Sequence, residues 1–199
     1  MAHIPDKPAM PDPTAPATSG TLIVVDVQRG FLNDYTAHVP DRIARLVGAA
    51  GYDPVYFTRF VNVPDSPYHR LLAWHDCAGP PETDLAPEIA ALATPETTFT
   101  KPSYTGLPPE LVETLRANGT ERVTIVGIDT DMCVLKVAMD VFDLGLEPII
   151  LVDCCASTAG LLAHLGGLAT LSRNIGPNQL HDAGLNGGRL AAPPSGERG

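Results

Sequence analysis

Five stretches of this chain are short runs of apolar, β-branched and aromatic residues: TLIVVDVQ at 21–28, PVYFTR at 54–59, TTFTK at 97–101, ERVTIVGI at 121–128 and EPIILVD at 147–153. Successive side chains of a strand point to opposite faces, so a run apolar at every position belongs in a sheet covered on both sides. The intervening segments supply the covers. DRIARLVGAA (41–50), PPELVETLRANG (108–119) and DMCVLKVAMDVFDLG (131–145) read as helices, and a further one spans about 160–172. In the third, Val134, Val137, Ala138, Val141 and Phe142 recur at the spacing of one helical face. Gly119 and Gly145 fall just past helix ends, where a left-handed residue closes the last turn. Strands and helices in alternation predict an α/β fold, a Rossmann-like three-layer sandwich. Its sheet is mostly parallel, with five or six strands and helices on both faces. The sixth strand, near 175–180, is interrupted by Pro177.

The 199 residues suffice for one such domain. Residues 1–20 are rich in proline and small residues with no apolar period, and read as a disordered or draped arm. Residues 185–199 read as a flexible tail, leaving 21–184 as the domain. No basic region followed by an apolar stretch opens the chain, so the expected location is cytoplasmic. No run is long enough to span a bilayer, and a formal net charge of −10 argues against binding nucleic acid through its phosphates. Neither a nucleic acid nor a membrane is an expected partner. The four cysteines, Cys77, Cys133, Cys154 and Cys155, form no CxxC pair, so each reads as buried filler or a reactive thiol.

Ligands of such sheets gather beyond the carboxyl ends of the strands. The first strand leads into Asp26, the third ends in Lys101, and the fourth runs through GIDTDMCV to Cys133. A carboxylate at the end of an apolar strand needs a partner, and a cysteine opening a helix lies near exposed backbone N–H groups that favour an anion. Thr130 or Asp131 is placed to cap that helix, and a nearby lysine would stabilise the thiolate. Taken singly, each residue has a plain structural reading: Cys133 as core, Asp26 as a loop cap, Lys101 as a strand-end cation. Their convergence on one rim points to chemistry. VVDVQRGF lacks the GxGxxG that a dinucleotide-binding first turn requires, which excludes that use of the fold.

VVDVQRGF (24–31), FTKPSYTG (99–106) and GIDTDMCV (127–134), in that order and spacing, resemble the isochorismatase-like cysteine hydrolases. The likeness runs from about Thr21 to Leu180 and includes LVDCCAST at 151–158. The resemblance implies an Asp–Lys–Cys triad: Cys133 as nucleophile, Asp26 as general base, and Lys101 lowering the thiol pKa and orienting the acid. It also implies an oxyanion hole from the N–H groups of Asp129 and Cys133, with a cis peptide between Ile128 and Asp129. Asp129 stands where many relatives carry a small or apolar residue.

Nicotinamidase-type members hold a metal through an aspartate and histidines after the second strand. The matching TRFVNVPDS places Phe60 and Asn62 there, so no metal or other cofactor is expected. His69 and His75 come too late in the chain and read as surface or pocket-wall residues. Phe31, Arg59, Trp74 and Tyr104 are candidates for the substrate pocket, Arg59 as a carboxylate ligand. The expected activity is hydrolysis of an amide or related C–N bond of a small metabolite through an acyl-cysteine. The alternatives are a vinyl-ether hydrolase that uses the aspartate without covalent catalysis, and a non-catalytic binding protein on the same scaffold. The resemblance also implies a homo-oligomer.

Overall fold

The computed structural model describes residues 19–185. The expected arm and tail fall almost wholly outside the described residues. Ser19 and Gly20, assigned to the arm, instead open the first strand. Six strands form one sheet: β1 (Ser19–Val25), β2 (Gly51–Phe60), β3 (Thr98–Lys101), β4 (Arg122–Ile128), β5 (Glu147–Ala156) and β6 (Leu180–His181). Their order is β3-β2-β1-β4-β5-β6, and every neighbouring pair is parallel. The order reverses between β1 and β4, which opens a crevice beyond their carboxyl ends.

Leu22, Ile23, Val24 and Val25 are at most 1% exposed, although alternate residues face opposite sides of the sheet. Both faces are therefore covered. The helices are α1 (Val39–Ala49), α2 (Pro67–Leu72), α3 (Pro87–Ala90), α4 (Pro109–Ala117), α5 (Leu135–Asp143) and α6 (Leu161–Ile175). On the sheet, α1 pairs with α3 and α5 with α6, and α1, α5 and α6 all pack against β5. Among the described residues no helix is long and apolar enough to cross a membrane.

The helix expected at 131–145 is divided. Thr130–Val134 forms a π-helical turn before α5 begins. Val134, Val137, Ala138 and Val141 are fully buried as their spacing predicts, but Phe142 is 48% exposed, at the edge of the apolar stripe. Pro177 sits in a 3-10 turn, so the sixth strand shrinks to the two residues Leu180 and His181, paired with Ile150 and Leu151. Helices α2 and α3 are too short for a periodic signal and were not expected.

One close approach fixes the turn that carries Cys133. At Gly167, in α6, an added Cβ would lie 2.8 Å from Asp131 Cα and N. A bare backbone lets α6 seat directly against the π-helical turn.

Candidate active site

Asp26 follows β1 with φ at 50°, turning its carboxylate off the strand line. Its N–H points at Thr58, 3.3 Å from the carbonyl and 3.2 Å from Oγ1, and the Thr58 hydroxyl donates to Asp26 Oδ1 at 2.7 Å. The other oxygen, Oδ2, lies 2.6 Å from Lys101 Nζ, and both side chains are 0% exposed. Phe60 at the end of β2 pairs with Lys101 at the end of β3, so sheet register alone brings the ammonium to this rim. Lys101 also donates to the Ser103 carbonyl at 3.0 Å and to Cys133 Sγ at 3.6 Å, and lies 5.5 Å from the centre of the Phe60 ring. One buried ammonium thus touches both a carboxylate and a thiol.

Burial alone would lower the Lys101 pKa, but the Asp26 carboxylate and the Cys133 sulfur overcome it and hold the ammonium charged. The thiol moves against the sequence-based expectation. Burial first, then the Asp26 charge and a hydrogen bond to that carboxylate, push Cys133 well above its ordinary value; Lys101 opposes them without prevailing. Burial and the neighbouring carboxylate together favour the protonated sulfur.

The turn that presents Cys133 is not capped by its own side chains. Met132 and Val134 donate backbone N–H groups to the Asp129 carbonyl at 3.1 and 3.0 Å, the latter closing the wide turn. Thr130 Oγ1 instead lies 2.8 Å from His164 Nδ1 on α6, and Asp131 Oδ1 is buried without a partner. The capping roles expected of Thr130 and Asp131 are therefore corrected. The wider π-helical turn carries the Thr130 side chain to α6 instead. The Ile128–Asp129 peptide is cis. The Asp129 carboxylate accepts the N–H and hydroxyl of Thr158, each at 2.7 Å; burial raises its pKa while these two bonds oppose.

Beside these groups lies a cavity of about 340 Å³. Ile128, Asp129 and Cys133 line it, together with Phe31, Trp74 and Tyr104 from the expected pocket set. Arg59 does not. Phe60 faces the cavity, so its neighbour on the strand must face the other way, where Arg59 donates to Thr100 Oγ1 at 2.9 Å. Sequence reasoning passed over Phe60 and Tyr68 as pocket residues. Phe60 packs edge-on to Tyr68 at 5.1 Å and stacks on Trp74 at 5.9 Å, and Tyr68 meets Tyr104 edge-on at 5.0 Å. Gln28 was also missed. Fully buried, it donates to the Phe60 carbonyl at 2.9 Å and accepts the Phe60 N–H at 2.6 Å, tying the loop after β1 to the end of β2. Its place in a run that switches from apolar to polar was the available signal.

The two positions set against a metal site by the resemblance, Phe60 and Asn62, do not fit an ion here. Phe60 offers a ring, and the Asn62 amide is occupied by the carbonyls of Trp74 and Asp76 and by the Ser66 hydroxyl. His69 and His75 face each other with ring centres 4.5 Å apart, outside the cavity lining.

Residues 21–178 match the isochorismatase domain family. The chain is 31% identical over 164 residues to a nicotinamidase/pyrazinamidase of Mycobacterium tuberculosis, covering 69% of this chain and 87% of that protein. It is 32% identical over 208 residues to the ureidoacrylate amidohydrolase RutB of Methylobacterium radiotolerans, covering 85% and 80%. Among solved structures, an isochorismatase-like hydrolase from Alkaliphilus metalliredigens superposes with a TM-score of 0.70 at 19% identity, covering 83% of this chain and 95% of that one. That last likeness concerns the fold.

Proposed function

The chain belongs to the isochorismatase family, and from that premise we propose that it is a cysteine hydrolase opening an amide or related C–N bond of a small metabolite. The observation that carries the reading is the contact of one buried ammonium with both Asp26, at 2.6 Å, and Cys133, at 3.6 Å, beside a cavity. The names of the two sequence relatives, an amidase and an amidohydrolase, favour C–N cleavage over vinyl-ether cleavage.

In this reading the substrate carbonyl lies over Cys133. The sulfur attacks as its proton passes to Asp26, so charge separation is brief and a low resting thiol pKa is not required. The oxyanion is received by the N–H groups of Asp129 and Cys133. Asp26 then returns the proton to the departing nitrogen, the C–N bond breaks, and a thioester and a free amine or ammonia result. Water attacks the thioester, its proton goes to Asp26, and the C–S bond breaks; the sulfur takes that proton back as the acid leaves. Lys101 stays charged throughout and keeps Asp26 fixed on its Thr58 contact.

The test is an amide screen with intact-mass detection. A substrate should add its acyl mass to Cys133 under rapid quench, and Cys133→Ala should lose both adduct and turnover. Full activity in Cys133→Ala with loss in Asp26→Ala would sink the covalent route in favour of the vinyl-ether type. No turnover of any amide by the wild-type chain, with ligand binding intact, would leave a binding protein.

A further inference from the structure

The lining of the cavity has an uneven chemistry. Five aromatic side chains, Phe31, Phe60, Tyr68, Trp74 and Tyr104, form its wall. Phe31 stacks on Trp74 with centres 6.4 Å apart and planes at 22°, and Phe60 stacks on the same indole at 23°. The charged residues of the lining are both acids. Asp129 lies near Cys133, and Asp76 is exposed, its carboxylate accepting the Trp74 Nε1–H at 3.1 Å. Among the described residues no lysine, arginine or histidine lines the cavity, because Arg59 turns to Thr100 and Lys101 is sealed against Asp26.

A carboxylate entering such a space would meet ring faces and like charge, with no cation to replace its lost hydration. A cation would meet the negative faces of aromatic rings and a carboxylate at their edge. Tyr68 adds one polar contact: its hydroxyl is buried in the wall without a partner. Burial first, then the neighbouring Tyr104 and Cys133, raise its pKa, so it stays a neutral O–H.

We infer that the site is built for a flat amide whose remote end carries a positive charge, a ring-borne or quaternary ammonium, and that it rejects amides bearing a remote carboxylate. The inference rests on the amide-hydrolase reading for the word amide, and on the lining for the charge. The aromatic wall receives the cation, Asp76 neutralises it at the rim, and the carbonyl carbon is left facing Cys133.

Trp74 is the only tryptophan in the chain, so its fluorescence reports on this cavity directly and without turnover. Three flat carboxamides of similar size carry a positive, a zero and a negative charge in turn: 3-carbamoyl-1-methylpyridinium, benzamide and 3-carbamoylbenzoate. Titrated into full-length Cys133→Ser protein, the pyridinium should bind roughly tenfold more tightly than benzamide, and the benzoate more weakly than either. In Asp76→Asn the pyridinium-to-benzamide ratio should fall by roughly three- to tenfold. The inference is overturned if the benzoate binds as tightly as the pyridinium, if the ratio is unmoved by Asp76→Asn, or if no probe quenches Trp74. Hydrolysis by the wild-type chain is scored separately. The expected binding order without turnover of any amide would sink the hydrolase reading and leave the charge selection standing. Turnover of carboxylate-bearing amides with a reversed order would do the opposite.

Discussion

The floor of the site comes from the ends of β1 and β3 and the turn after β4, and the aromatic wall draws most on β2 and the long connection that follows it. Of the floor residues only Cys133 reaches the cavity lining. The floor holds Asp26, Lys101 and Cys133 in fixed register, two of them fully buried and paired. The wall holds Phe60, Tyr68 and Trp74, joined by ring contacts, with Leu72 60% exposed on the same connection. Charges taken out of water demand strict geometry, because an ammonium displaced from its carboxylate is left desolvated and alone. Rings pack through many weak contacts and accept exchange at modest cost. The floor is suited to one chemistry, and the wall can change with the substrate.

The sharpest division between the two would be kinetic. Cys133→Ala should cut turnover by at least about a thousandfold while leaving Trp74 quenching by ligands intact. Comparable loss of quenching would mean that floor and wall are not separable. Breaking the ion pair comes next. Lys101→Met alone should destabilise the fold by about 3–5 kcal/mol in urea unfolding, since it strands the buried Asp26 charge. Adding Asp26→Asn should recover much of that stability and none of the rate. A smaller effect belongs to the wall: Trp74→Leu should raise KM by roughly tenfold with kcat changed far less.

The smallest effect is on pH. Cys133 has a raised pKa in the fold, so between its ordinary value of 9.0 and its folded value the unfolded chain binds fewer protons than the native one. The stability from keeping this thiol neutral is present below pH 9 and is lost as pH rises above it. Lys101, also raised from 10.5, acts in the same direction at higher pH. The urea midpoint should fall between pH 8 and pH 10, and Cys133→Ser should make that fall shallower. A steeper fall would contradict a protonated resting sulfur.

The floor could be read from the sequence because Asp26 and Lys101 stand where strand runs turn polar, and Cys133 follows the fourth run by a short loop. Asp26 and Lys101 break their runs visibly. Parallel pairing then carries both to one edge, as the alternation of elements predicted. The wall was less legible. Tyr68 sits on a six-residue helix that carries no period, and Phe60 falls just past the strand read at 54–59, where it is weighed only as a metal position. Arg59 shows the limit most clearly: one step along a strand reverses the face, and nothing local in TRF says which side the cavity takes. The thiol was misjudged for a related reason. Its charge partners are legible in the sequence, whereas its depth in the fold is a property of three dimensions.

Gly167 sits on α6, outside the cavity lining, yet the helix rests there on the very peptide units that lead into Cys133. A methyl group at this position would force α6 or that turn to shift, through the main chain, with every side chain of the candidate site still present. Such a change would look silent in any comparison of catalytic residues and severe in an assay. The placement of Cys133 is thus governed in part by an atom that is missing.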